Sequence, residues 1–280
     1  MRRPVVAGLD GSPESLAAAD WAAREALRRG LPLRLLYAFE GLSSEAAGLP
    51  ELAAPRYWAG RILRGAMDRL AEAYPQVPLG AEQIARPAPE ALLDAEAEVL
   101  VLGNRAAGGL AGLLADSVGL ATVARAPGPV VLVPAWYKSP PEAGSPYHPI
   151  VAGVDTARPC DELLHFAFDA ATLRRAPLHA VHTWHLRHLP EPSEHTSRED
   201  AEQALDATLA PWREKYPTVD VHAVVANGRA AQHLLHASRE ACLLVVGRRI
   251  RPARLGPHIG PVTHAVLHHA RCPVAIVPHE

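Results

Sequence analysis

The feature that most limits what this chain can fold into is an internal repeat. PVVAGLDGS at residues 4–12 returns as PIVAGVDTA at 149–157. LVLGNRAAGGLAGLLADSVGLATVARAPGPVVLVPA at 100–135 returns as LVVGRRIRPARLGPHIGPVTHAVLHHARCPVAIVPH at 244–279. The displacements, 145 and 144 residues, agree within one residue, and about 12 of the 36 pairs in the longer match are identical. Two segments that recur in the same order at one spacing mark a duplicated domain. The chain has 280 residues, enough for two domains of ordinary size. WYKSPPEAGSPYH, 136–148, is rich in Pro, Ser and Gly and lacks a periodic apolar pattern, so it reads as a linker. The expected division is a first domain at 1–136, a linker at 137–147 and a second domain at 148–280.

Each copy alternates strand-like and helix-like stretches. In the first, PVVAGL (4–9) is a short apolar run ended by Asp10. Ser12 suits a helix cap and Pro13 a first helical position. Leu16, Ala19, Ala23, Ala26 and Leu27 then fall on one helical face, and Gly30 is a stop signal. Strands are expected at 33–39, near 77–85, at 99–103 and at 129–134, with helices at 55–74, 89–98 and 117–126. The second copy places strands near 149–155, 178–184, 219–226, 242–247 and 273–278. Strands that are apolar throughout, separated by helices, predict an α/β fold: two doubly wound, five-stranded, mostly parallel sheets in tandem.

Composition narrows the function classes. Net charge is −2 with both signs interspersed, so the basic stripe that nucleic acid requires is missing. No segment approaches 18 consecutive apolar residues, which argues against a membrane span. The start, MRRPVVAGLD, has too short an apolar run for a signal peptide. Cys160, Cys242 and Cys272 form no CxxC pair and read as reduced packing thiols. The expected compartment is the cytoplasm.

In an open α/β sheet, ligands sit beyond the carboxyl ends of the strands, where the strand order reverses. Two loops meet there if strands 1 and 4 flank that point. One carries Asp10-Gly11-Ser12, the other runs from Gly103 to Asp116; their repeats are Asp155-Thr156-Ala157 and Gly247 to Gly260. The carboxylate suits a ribose or base, and the glycines let backbone N–H groups approach a phosphate at a helix N-terminus. A tight strand-to-helix connection explains the same glycines equally well. The lysine-bearing phosphate loop is absent, and so is a GxGxxG after the first strand.

These residues resemble the universal stress protein family, in its tandem two-domain form, over both copies. The resemblance implies strand order 3-2-1-4-5. It also implies ATP binding through an Asp after strand 1, backbone contacts after strand 2, and Gly-x2-Gly-x9-Gly-(Ser/Thr) after strand 4. Carried over by position, the adenine-nucleotide residues are Asp10, Ala38, Gly103, Ser117 and Val118 in the first copy. In the second they are Asp155, Thr183, Gly247, Gly260 and Val262. Both motifs depart from the pattern. Ala106 and Ile250 replace the second glycine, Asp116 the third, and Pro261 the hydroxyl residue. A carboxylate at a helix N-terminus competes with phosphate for the same field, and proline offers neither N–H nor hydroxyl. ATP is therefore expected to bind weakly. If one half binds, the expected one is the first, which keeps Asp10, Gly103 and Ser117.

The other candidates have plainer explanations. His264 and His268 lie four apart on an expected helix without a third ligand. His182 reads as a pocket-wall residue. Ser12 has no base beside it and reads as a cap rather than a nucleophile, so no catalytic residue and no resident metal are expected, with at most weak ATP hydrolysis. The five tryptophans read as core or joint packing. The final strands, PVVLVP and PVAIVP, are apolar edges that invite pairing, and the resemblance implies an intrachain pseudo-dimer and a homodimer. The expected function is a nucleotide-dependent stress regulator; the alternative is an interaction module that has lost nucleotide affinity and recognises a protein partner.

Overall fold

In the computed structural model the chain divides into two compact units, Met1–Lys138 and Ser139–Glu280. The structure describes residues 3–40, 50–104, 118–137, 148–184, 197–250 and 259–280. The first unit runs β1 (Val5–Gly8), α1 (Pro13–Arg29), β2 (Leu33–Phe39), α2 (Pro50–Ala73), β3 (Leu79–Ala85), α3 (Ala88–Leu93), β4 (Val99–Asn104), α4 (Val118–Arg125) and β5 (Val130–Pro134). Its strands pair in parallel in the order β3-β2-β1-β4-β5.

The second unit repeats this with β6 (Ile150–Gly153), α5 (Asp161–Arg174), β7 (Leu178–Trp184), α6 (Arg198–Lys215), β8 (Val221–Asn227), α7 (Ala230–Ala237), β9 (Leu243–Arg249), α8 (Pro261–His269) and β10 (Val274–His279). Its order is β8-β7-β6-β9-β10, again parallel. Two doubly wound sheets in the order 3-2-1-4-5 are thus the architecture of the chain. No helix among the described residues is long and apolar enough to cross a membrane.

Burial follows from sheet position. Val5, Val6 and Ala7 of β1 and Val131 and Val133 of β5 have no exposed surface, and neither have Ile150, Val151 and Ala152 of β6. Strands covered by helices on both faces must be apolar at successive positions. The outer strands β3 and β8 lack that cover, and most of their residues are solvent-accessible.

Helix α1 shows how the sequence sets the spacing between layers. Its buried face is built mainly of Ala18, Ala19, Ala22, Ala23 and Ala26, so the helix axis comes close to β4. Leu27, expected on that face, is more than one-third exposed. Ser12 caps the helix by accepting the Ser15 N–H at 3.2 Å, a bond that contributes about 1 kcal/mol. Gly30 ends it in the left-handed region, φ 60°. The equivalent position in the second unit is Arg175, which holds φ 50° despite its side chain.

Helix α5 starts later than its counterpart. Asp161 lies six residues beyond Asp155, whereas Pro13 lies three beyond Asp10. The cause is local. Ala157 stands where Ser12 caps α1, so no side chain holds the first turn. Pro159 also disfavours the helical conformation at Arg158. Cys160 becomes the residue flanking the helix, with φ −139° and no side-chain cap.

Three expectations change. Helix α3 ends at Leu93 rather than 98, because the acidic run DAEAE would sit against the negative end of the helix. Glu96 turns at φ 44° and Glu98 donates to the Pro4 carbonyl at 2.9 Å, which brings the chain into β4. Helix α2 begins at Pro50, ahead of residue 55. Among the tryptophans, Trp21 is buried and Trp212 stacks on Phe168, but Trp58 and Trp136 are about half exposed.

Candidate functional site

Both units bring the turn after their first strand beside the end of their fourth. In the first unit β1 and β4 are in register from Val5↔Val99 to Ala7↔Val101, and β1 and β2 from Val5↔Leu33 to Gly8↔Leu36. Continuing that register sets Asp10 level with Asn104 on one side and Ala38 on the other. The Asp10 carboxylate accepts the Ser12 N–H at 2.9 Å and its hydroxyl at 2.5 Å. The turn is therefore held before any ligand arrives. Gly103 is pressed against the first turn of α1. A Cβ there would lie 2.6 Å from the Glu14 carbonyl carbon and 2.7 Å from the Ser15 nitrogen. Close packing of α1 thus requires this glycine, whatever else it serves. Ala38 is half-buried on β2, and Val118 opens α4 with 41% of its surface exposed. Ser117, Ala106 and Asp116 lie outside the described residues.

The second unit holds a defined cavity of about 510 Å³ at the carboxyl ends of β6, β7 and β9. Asp155, Thr183, Gly247, Gly260 and Val262 all line it, so the structure brings all five of the expected residues together. Leu163, Val181, Leu234 and Val246 make the apolar wall. The late start of α5 accounts for the room. Gly247 faces no helix backbone there; its open side meets the His279 ring and Leu163 instead. Ile250 is half exposed, and Pro261 is the first residue of α8.

His182 lines the cavity, as expected, and is buried. Its Nδ1 lies 3.0 Å from the Val154 carbonyl and its Nε2 3.5 Å from the Thr156 hydroxyl. Nδ1 must therefore carry the proton, since a carbonyl only accepts. Thr263 donates to the Gly247 carbonyl at 3.1 Å and ties α8 to the end of β9. Burial, with help from Asp161, Asp155 and Glu162, pushes the Cys160 thiol up to about 11. Burial likewise pulls the Arg248 guanidinium below its ordinary value.

Arg248, which the sequence reads as part of a solvated arginine-rich loop, lines the cavity and is buried, and His279, which escaped that reading, lines it too. The signal lay in the repeat itself. Their partners in the first copy are Asn104 and Ala135, so the second copy gained a guanidinium and an imidazole where it lost a hydroxyl. His264 and His268 sit with ring centroids 4.5 Å apart on α8. Among the described residues no group of three or more ligand-type side chains could hold a metal.

A strand order of 3-2-1-4-5 in both units, with an acidic turn beside the glycine near the end of the fourth strand, defines a doubly wound α/β fold with its crevice at the switch point. The universal stress protein family model matches residues 1–134 and again 146–278. The chain is 34% identical over 293 residues to a universal stress protein of Mycobacterium tuberculosis, Rv2005c, covering 97% of this chain and 96% of that one. The crystal structure of a universal stress protein from Archaeoglobus fulgidus has the same fold at a TM-score of 0.74 and 15% identity, covering 99% of this chain and 96% of that chain. A universal stress protein solved in complex with cAMP matches 47% of this chain and 96% of its own at 28% identity and a TM-score of 0.42. This chain belongs to the universal stress protein family.

Proposed function

We propose that this universal stress protein is a regulator that binds an adenine nucleotide, and that the cavity of the second unit is the binding site. The observation that carries the reading is that Asp155, Thr183, Gly247, Gly260 and Val262 line one cavity of about 510 Å³, within the size range of small-ligand pockets. Asp155 would accept hydrogen bonds from the ribose, the apolar wall would take the base, and the end of β9 would face the phosphate. Binding, rather than turnover, is the proposed role.

The second unit is preferred over the first because Gly103 already serves the packing of α1. That packing also supports a second reading: the first unit acts as an interaction module that has given up its nucleotide. The edge strands β5 and β10 would then serve pairing between copies of the chain, which sedimentation of the full chain tests.

Calorimetric titration of the full chain with ATP, ADP and AMP tests the nucleotide reading. Binding at micromolar concentration that falls at least about tenfold in Asp155→Ala supports it, since a charged hydrogen bond to a ligand contributes that much. Absence of binding to all three removes it. A gain of binding confined to Asp116→Gly would instead assign the lost site to the first unit and favour the interaction module.

A further inference from the structure

The cavity of the second unit differs from the family pattern in where its phosphate donors would come from. The usual donors are weakened: Pro261 has no N–H or hydroxyl to offer at the start of α8, and Gly260 caps that helix without a side-chain bond. In their place stand three side chains. His279 and Arg249 are register partners on adjacent parallel strands and therefore project to the same face. Gly247 and Val277, paired two residues earlier, lie on that face too, which is why the His279 ring rests on Gly247. Arg248 closes the cavity from the other face and is buried. All three line the same space as Asp155.

We propose that this cavity is selective for a compact anionic ligand, a nucleoside monophosphate, whose phosphate is held by His279 and Arg249 instead of by the glycine turn and helix N-terminus. This rests on the nucleotide reading above and refines it. The Arg249 guanidinium suits a single phosphate bidentately, and His279, whose Nδ1 lies 3.0 Å from the Glu280 carbonyl, has its Nε2 left to meet it. A triphosphate chain that continued toward α8 would meet Pro261, the first residue of that helix, which offers neither N–H nor hydroxyl. The first unit has Ala135 in place of His279 and so lacks this clamp.

The test is a calorimetric ladder on the full chain with adenosine, AMP and ATP, repeated on His279→Ala and Arg249→Gln. The clamp predicts that AMP binds at least about tenfold tighter than adenosine and that ATP binds no tighter than AMP. His279→Ala should bring AMP to within about threefold of adenosine, both measured on that variant. An unchanged unfolding midpoint shows that this variant folds. Adenosine and AMP binding alike, or ATP binding tightest, overturns the clamp while the nucleotide reading stands. An AMP preference that survives in folded His279→Ala overturns it as well. Failure of all three ligands on the wild-type chain overturns both.

Discussion

The His279 ring occupies the space that a side chain at position 247 would need: a Cβ on Gly247 would stand 2.5 Å from the His279 Nε2. In the first unit the matching glycine, Gly103, is crowded by backbone instead, at Glu14 and Ser15. One motif position thus carries two different packing demands, and substitution separates them.

Gly103→Ala must push a helix, since the obstructing atoms belong to the α1 backbone. A loss of about 1–3 kcal/mol is expected, the usual cost of overpacking. Gly247→Ala meets a side chain that is able to move, so it should cost less, and combining it with His279→Ala should recover most of the loss. Urea midpoints of the four variants measure this coupling. Equal penalties at both glycines, with no recovery in the double variant, would contradict the geometry.

Arg175→Gly should stabilise the chain by about 1 kcal/mol, because it relieves a left-handed residue at the end of α5. Gly30, at φ 60°, already has that arrangement at the end of α1. A higher urea midpoint with an unchanged slope is the expected readout.

The three thiols should differ in reactivity. Cys160 and Cys272 are buried, and burial raises both, Cys160 to about 11. Cys242 is only partly covered. A thiol-exchange reagent at pH 8 should therefore label Cys242 first, with the other two following at the rate of local opening. Mass spectrometry of the labelled peptides identifies the site, and rapid labelling of Cys160 would count against its burial.

Stability should fall on mild acidification, in part through His179. Burial, and then the neighbouring His222, hold this imidazole below its ordinary 6.5, against the pull of Asp220. The unfolded chain then takes up the proton first, so stability is lost as pH falls from 6.5 toward the folded value and the loss levels off below it. His179→Gln should flatten that part of the profile. Urea melts between pH 7.5 and 5 compare the two proteins, and parallel profiles would remove His179 from the account.

The repeat made the fold legible. Once PVVAGLDGS and PIVAGVDTA are aligned, every inner strand follows from an uninterrupted apolar run, and the strand order follows from the family resemblance. The acidic and glycine positions of the site were legible for the same reason. What the sequence hid was where helices begin and end. Ala157, Arg158 and Pro159 together delay α5, an effect of a missing cap and a proline that a hydrophobic pattern does not register. His279 was hidden because it lies at the far end of the last strand. There its meaning depends on the register of β10 with β9, which periodicity along one strand leaves undetermined.

The retreat of α5 has a wider consequence. The sheet keeps its register and its buried valines, yet a cleft opens beside it because a crossover helix begins one turn downstream. A duplicated domain built this way is free to change what it recognises by editing three residues in a connection. Its core never has to be repacked, and its twin is left as it was.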